Sequence, residues 1–308
     1  MTRDADRPFL GVMLMLGFCA LAPLGDALAK VLGASVPLGQ LIVIRFGVQT
    51  AVLAPLMWAT GRSVKLTPRV LRLTLLRTVL HVAGVGAFFF ALRFLPLADA
   101  IAIAFVAPLI MLLLSRVVLD EAVGPRRMIG CAVGFAGTML VIQPSFVSVG
   151  AAALLPLGAA VTFALFMLVT RQIARDADPV ALQAVSGAMA LGLLAPPMLL
   201  GGVIGWGELG WVAPGGADWA LLLLLGGVGT GAHLLMTWSL RFAPTSTLAP
   251  MQYLEIPFAT AIGFAVFAEF PDGPAAIGIA VTVGSGLYVI HRERLAAIAV
   301  ALPLPPET

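Results

Sequence analysis

Apolar residues fill this chain in long runs, broken by short stretches that carry Pro, Gly or charge. A helix needs about 20 apolar residues to cross a bilayer. The runs predict membrane helices over 9–32, 38–58, 70–94, 97–115, 127–143, 151–170, 180–203, 218–240, 245–267 and 274–291. The predicted fold class is therefore all-α, a membrane protein of ten transmembrane helices. No polar stretch is long enough for a soluble domain, so function is expected inside the membrane.

The pattern repeats. Leu92-Arg93-Phe94-Leu95-Pro96 returns 148 residues later as Leu240-Arg241-Phe242-Ala243-Pro244, and the same offset carries Glu121 onto Glu269 and Gly130 onto Gly278. With one further residue inserted, Pro108 falls on Pro257 and Pro125 on Pro274. Two copies of one unit are implied, 8–143 and 151–291, followed by a short cytoplasmic tail, 292–308. Five helices per copy is an odd number, so the second copy must enter the membrane from the opposite side. Inverted five-helix repeats are common in secondary transporters.

Composition agrees with burial in lipid: 60% of residues are hydrophobic and 11% charged, against about 25% charged in soluble domains. The net charge of +3 does not indicate a nucleic-acid partner, because the basic residues sit in short loops between apolar runs. Fourteen of the 18 Lys and Arg fall on one side when the N-terminus is placed in the cytoplasm; the outer side holds Lys30 and Arg93, and Arg45 and Arg77 lie within spans. The positive-inside rule then puts both termini in the cytoplasm of a bacterial-type inner (plasma) membrane. The first run is read as a retained helix rather than a cleaved signal, since it is long and Asp26 adjoins the signal-like Ala27-Leu28-Ala29. Cys19 and Cys131 lie within apolar runs and are read as buried thiols.

The chain resembles the EamA type of the drug/metabolite transporter (DMT) superfamily over about 9–291. In the first half the resemblance rests on Ala91-Leu92-Arg93-Phe94-Leu95-Pro96-Leu97-Ala98-Asp99-Ala100, Phe105-Val106-Ala107-Pro108-Leu109, Asp120-Glu121, Gly130 and Gly134-Phe135-Ala136-Gly137. In the second it rests on Tyr253-Leu254-Glu255-Ile256-Pro257-Phe258 and Phe267-Ala268-Glu269. The resemblance implies inverted five-helix repeats, a central cavity lined by helices one, three, four, six, eight and nine, and transport without ATP.

A charge within a membrane helix costs about 2.5–3.5 kcal/mol on insertion scales, so each one marks a candidate site. Glu255 lies roughly 15 Å into the ninth span, near the midplane. Pro250 and Pro257 flank it, freeing backbone carbonyls that can line a cavity. It is read as a cavity residue contacting a cation or exchanging a proton, against a buried carboxyl paired with a neighbouring helix. Asp26 and Arg45 both lie roughly 12 Å below the outer surface and are expected either to pair or to face substrate; Lys30 is the other partner open to Asp26. Arg77 and His81 lie four apart, on one face of the third span, and are expected to face the cavity rather than only pack. Asp99 suits the first turn of the fourth helix through the helix dipole. His233, in a Gly-rich stretch of the eighth span, is either a packed donor or a cavity contact, and Gln252, Tyr253 and Trp238 are softer cavity candidates. Glu121 and Glu269 read as interfacial or loop contacts. Gly130-x-x-x-Gly134 permits close packing, within the chain or across a homodimer seam.

Gly227-Val228-Gly229-Thr230-Gly231-Ala232 imitates a dinucleotide fingerprint but follows no strand. No phosphate-binding Gly-Lys-Ser/Thr loop occurs, and three histidines with two cysteines offer no metal-ligand spacing, so neither cofactor nor metal is expected. The residues predict a secondary transporter of a small organic metabolite, a monomer or homodimer, rocking between two open states. Proton coupling is assigned to Glu255, with Asp26 as second choice. Export of amino acids or related compounds follows from the resemblance. The alternatives are uptake of a vitamin or nucleoside-like cofactor, such as riboflavin or S-adenosylmethionine, and an intramembrane enzyme.

Overall fold

The computed structural model describes residues 7–63, 67–95, 97–121, 123–141, 150–268 and 273–301. The first half supplies α1 (Pro8–Leu32), α2 (Leu38–Ala59), α3 (Pro68–Ala91), α4 (Leu97–Ala104), α5 (Ala107–Val118) and α6 (Pro125–Val141). The second supplies α7 (Leu154–Ile173), α8 (Pro179–Ile204), α9 (Gly216–Phe242), α10 (Thr245–Leu248), α11 (Glu255–Phe267) and α12 (Gly273–Ala301). Short 3₁₀ turns cover Gly150–Ala153, Gly207–Leu209 and Ala249–Leu254. Helices α1, α2, α3, α7 and α9, and α8 over Pro179–Gly201, are long and apolar enough to cross a membrane; Ala107–Val118, Met128–Gly137 and Ala276–Tyr288 are shorter apolar helices. The protein is an all-helical, multi-pass membrane protein. Trp58, Trp206 and Trp211 stand exposed at the ends of these helices, where an amphipathic ring suits the lipid–water interface.

Local sequence sets the helix ends. Proline, which lacks the N–H that a first turn leaves unused, opens α1, α3, α6 and α8. The Thr67 hydroxyl accepts from the Val70 amide at 3.3 Å, and the Asp178 carboxylate from the Val180 and Ala181 amides at 3.0 and 3.1 Å. Gly205, at φ 70°, closes α8 in the left-handed region.

Two expected continuous helices are broken. The span 97–115 divides at Phe105–Val106 into α4 and α5. Pro108 has no N–H to give the Ala104 carbonyl, so the helix cannot run through that turn unchanged. The span 245–267 divides into α10, the 3₁₀ segment Ala249–Leu254 and α11, with Pro250 and Pro257 at the interruption. Irregular backbone at membrane depth is tolerated where protein buries it or a cavity takes it up. The last helix runs on to Ala301, so the tail expected from 292 begins as helix.

Most of the core is made between halves. Helix α1 packs on α9, α3 on α7, α2 on α8, and α6 on α12. Exchanging the halves turns the first of these pairs into the second and leaves the other two unchanged. The glycines of α6 serve this contact. A Cβ on Gly134 would sit 2.5 Å from Cδ2 of Tyr253, one on Gly137 would sit 2.5 Å from Oγ1 of Thr282, and the Ser285 hydroxyl donates to the Gly130 carbonyl at 2.7 Å. The Gly130-x-x-x-Gly134 stripe thus packs within the chain.

Each face of the bundle carries a polar tie. At the face where α1 begins, the N-terminal face, the Glu121 carboxylate accepts from the Thr245 and Ser246 amides at 3.1 and 2.9 Å. Arg171 Nε donates to the same carboxylate at 3.3 Å, and its Nη1 donates to the Leu240 carbonyl. Glu121 is therefore a contact between halves, and Glu269 lies outside the described residues. At the opposite face Arg93 pairs with Glu208 at 2.5 Å and donates to the Val36 carbonyl at 3.1 Å, while Gln40 exchanges two 2.9 Å hydrogen bonds with the Val212 backbone.

Candidate functional site

A cavity of about 150 Å³ lies where the halves meet. One water needs about 10–15 Å³ on this measure, so there is room for several waters or a small organic solute. The six spans expected to line it all do, and α2 adds Arg45. On α1, α3, α7 and α9 the lining residues run from the middle of the bundle, at Phe18, Phe166 and His233, towards the face away from the N-terminal one, at Asp26, Phe89, Ala159 and Leu225. Phe18, Phe88, Phe89, Phe105, Phe163 and Phe166 make its walls.

Asp26, Arg45, His81, His233, Gln252 and Glu255 all line it, with Pro108 at the break between α4 and α5. Asp26 and Arg45 do not close into an ion pair among the described residues. Arg45 instead places Nη2 3.4 Å from Nε2 of His81, and that nitrogen lies 3.2 Å from Nε2 of His233. The imidazoles belong to different halves, with ring centroids 4.2 Å apart. Around them, Phe166 stacks on His81 at 4.5 Å and Phe46 meets it edge-on at 5.1 Å. Gly229 gives Arg45 its space, because a Cβ there would lie 3.0 Å from the Arg45 Nε.

Other expected cavity residues lie elsewhere. Arg77 is fully buried and does not line the cavity. It donates to the Thr170 hydroxyl at 2.8 Å, the Ser186 hydroxyl at 2.5 Å and Oε1 of Gln183 at 3.0 Å, and its guanidinium lies 4.7 Å from the Phe166 ring centroid. Gln183 in turn donates to Thr237 at 3.2 Å and receives Gln49 on its backbone carbonyl at 2.8 Å. This network of neutral acceptors around Arg77 closes the bundle below the histidines, on the side of the N-terminal face. It was not read from sequence, where Gln49, Thr170, Gln183 and Ser186 stand as isolated polar residues in apolar runs. Tyr253 is buried against Gly134 and stacks on Phe105 at 5.6 Å. Trp238 packs beside Leu53, Val180 and Ala184. Pro250 and Pro257 shape the broken helix without lining the cavity. The side chain of Asp99 lies outside the described residues. Beneath Glu255, Gln252 Nε2 rests 3.1 Å from the sulfur of Met167 and 3.6 Å from that of Met111.

The 148-residue offset reappears in the site. It carries His81, Gly84, Val85, Ala104 and Ala107 onto Gly229, Ala232, His233, Gln252 and Glu255, and every one of these residues lines the cavity. The two copies therefore present corresponding positions to one space with different side chains.

A multi-pass helical bundle that buries mixed charge in a cavity between its two halves is the scaffold of a membrane transporter. The chain belongs to the EamA-like transporter family, whose model matches residues 9–143 and 150–290. Among curated relatives it is 29% identical to a riboflavin transporter of Rhizobium johnstonii over 71% of this chain and 70% of that protein. It is 23% identical to an S-adenosylmethionine uptake transporter of Rickettsia prowazekii over 94% and 96%. It is 25% identical to a pseudopaline exporter of Pseudomonas aeruginosa over 86% and 88%. A solved crystal structure shares the fold at a TM-score of 0.69 and 22% identity, covering 93% of this chain and 97% of that one.

Proposed function

We propose that this membrane transporter is a secondary carrier that exports amino acids or related small metabolites by alternating access. The carrying observation is the cavity itself: charged, at membrane depth and drawn from both halves. The exchange-symmetric helix pairs and the offset pairs of lining residues support two inverted five-helix repeats, 8–143 and 151–291. With both termini in the cytoplasm, as the Lys and Arg distribution favours, the Glu121 tie lies on the cytoplasmic side and the Arg93–Glu208 tie on the outer side. Rocking of the halves would open the Glu121 tie and the Arg93–Glu208 tie in turn. Glu255 is assigned to substrate contact or proton exchange, with Asp26 beside it.

Uptake of a vitamin or nucleoside-like cofactor is the second reading. The phenylalanine walls suit a planar ring, and two of the relatives are named as riboflavin and S-adenosylmethionine transporters. Proteoliposome flux decides between them: purified protein with labelled amino acids on one side, riboflavin or S-adenosylmethionine on the other, with and without an imposed proton gradient. Glu255→Gln should abolish or alter flux in a protein that still folds. Wild-type flux in that variant would remove Glu255 from the mechanism.

A further inference from the structure

Arg45 on α2, His81 on α3 and His233 on α9 make a donor cluster whose hydrogen bonding is incomplete. Their exposures are 3%, 3% and 8%, so water reaches them only through the cavity they line. Arg45 Nη1, His81 Nδ1 and His233 Nδ1 are buried without partners. Buried polar groups are almost always satisfied, and three orphans at one point in a membrane interior call for an external partner.

Hydrogen counting says what that partner offers. Two neutral imidazoles carry two N–H groups between them. The facing Nε2 atoms, 3.2 Å apart, hold one hydrogen between them when hydrogen-bonded. Arg45 Nη2 can only donate to His81 Nε2, so His233 supplies that hydrogen and the second sits on His81 Nδ1. The cluster therefore always keeps an unused imidazole N–H in addition to the unused Arg45 Nη1 donors. No acidic side chain ion-pairs with Arg45 among the described residues. Donors, a fixed positive charge and a cavity wall together match a compact anion with two acceptor oxygens. The acids of the cavity, Asp26 on α1 and Glu255 on α11, are left for a cationic or donor group of the same solute.

We propose that Arg45 and His81, with His233 holding the His81 tautomer, bind the carboxylate of an organic solute, with its apolar part against the phenylalanine walls. This rests on the transporter reading and deepens it, by requiring a carboxylate in the substrate. A neutral solute that satisfies only the aromatic walls would not satisfy this cluster.

The test is binding to the purified full chain in detergent, read as a thermal shift across a concentration series. The probes are 3-phenylpropionate and its uncharged match, 3-phenylpropionamide. The acid should stabilise the protein and the amide should not. Arg45→Gln and His81→Gln should each weaken the acid's apparent affinity roughly ten- to hundredfold, the size of a lost hydrogen bond to a charged group. Arg45→Lys should retain part of it. Arg93→Gln, outside the cavity, should leave the acid's affinity unchanged even if the unliganded protein melts earlier. Equal shifts from acid and amide, no shift from the acid, or full affinity in folded Arg45→Gln would each overturn the assignment. Binding is measured without flux, so acid binding in a protein that moves no solute would count against the transporter reading and leave the carboxylate site standing.

Discussion

Replacing Glu121 by alanine removes the acceptor that ties the two halves together at the N-terminal face. Three hydrogen bonds end on this carboxylate: the Thr245 and Ser246 amides at 3.1 and 2.9 Å and Arg171 Nε at 3.3 Å. Hydrogen bonds to a charged group contribute about 1.5–3 kcal/mol each. The side chains of Arg171 and Glu121 are 11% and 12% exposed, so solvent screens them little. Arg171 keeps its Leu240 carbonyl, and water can satisfy the two amides once the face opens. About 3 kcal/mol is therefore a fair lower figure for the loss. If the tie exists only while this face is shut, the closed-to-open ratio falls about a hundredfold, at one decade per 1.4 kcal/mol.

Thr247 offers the reporter. It is 0% exposed behind the tie and its hydroxyl has no partner, so cysteine fits there at small cost. In a background with Cys19 and Cys131 replaced by alanine, Thr247→Cys should react with maleimide about a hundredfold faster when Glu121 is alanine. Glu121→Gln, which keeps an acceptor without the charge, should fall between. A lower unfolding temperature with unchanged labelling would mean that Glu121 holds the fold rather than the closed state. That result would refute the gate reasoning.

Arg77→Lys should cost about 2–4 kcal/mol, because one ammonium cannot replace a fork donating to Thr170, Gln183 and Ser186; the unfolding temperature in detergent checks it. Gly134→Leu should cost about 1–3 kcal/mol by overpacking Tyr253, and Tyr253→Ala in the same chain should recover part of the loss. Arg93→Ala and Glu208→Ala should each cost about 1 kcal/mol or less at side-chain exposures of 23% and 27%. A double-mutant cycle should show coupling that shrinks with added salt.

Arg45 and Arg77 show where reading the sequence stops. Both are single arginines inside apolar spans, and nothing local distinguishes them. Helical period puts Arg77 on the face of His81, and that much holds: both meet Phe166, one through its cation at 4.7 Å and the other by stacking at 4.5 Å. The difference is one turn of depth. Phe166 lies between the level of the cavity and the level below it, where Thr170, Gln183 and Ser186 of the other half happen to supply acceptors. Those partners are about a hundred residues away in the chain, so their positions follow from packing and not from pattern. The apolar runs, by contrast, were legible because lipid acts on each span separately. The breaks at Phe105–Val106 and at Ala249–Leu254 lie between these cases. The prolines mark where the backbone is weakened, but only a facing cavity and a partner half let it stay irregular.

The offset pairs lead one step further. In four of the corresponding lining pairs one copy carries a polar group and the other does not: His81 with Gly229, His233 with Val85, Gln252 with Ala104, Glu255 with Ala107. A symmetric pair of histidines would face each other from equivalent positions, yet His81 and His233 meet at 3.2 Å from positions one helical turn apart in the repeat. Gly229, the counterpart of His81, holds open the space used by Arg45. The helix pairs of the scaffold are thus alike in the two halves while the cavity lining is unlike. Such a division lets substrate choice change by substitution in one copy without disturbing the helix pairs, α1 on α9 and α3 on α7. It also locates specificity: Ala107→Glu should change which solutes bind while leaving the helical content and unfolding cooperativity of the bundle in place.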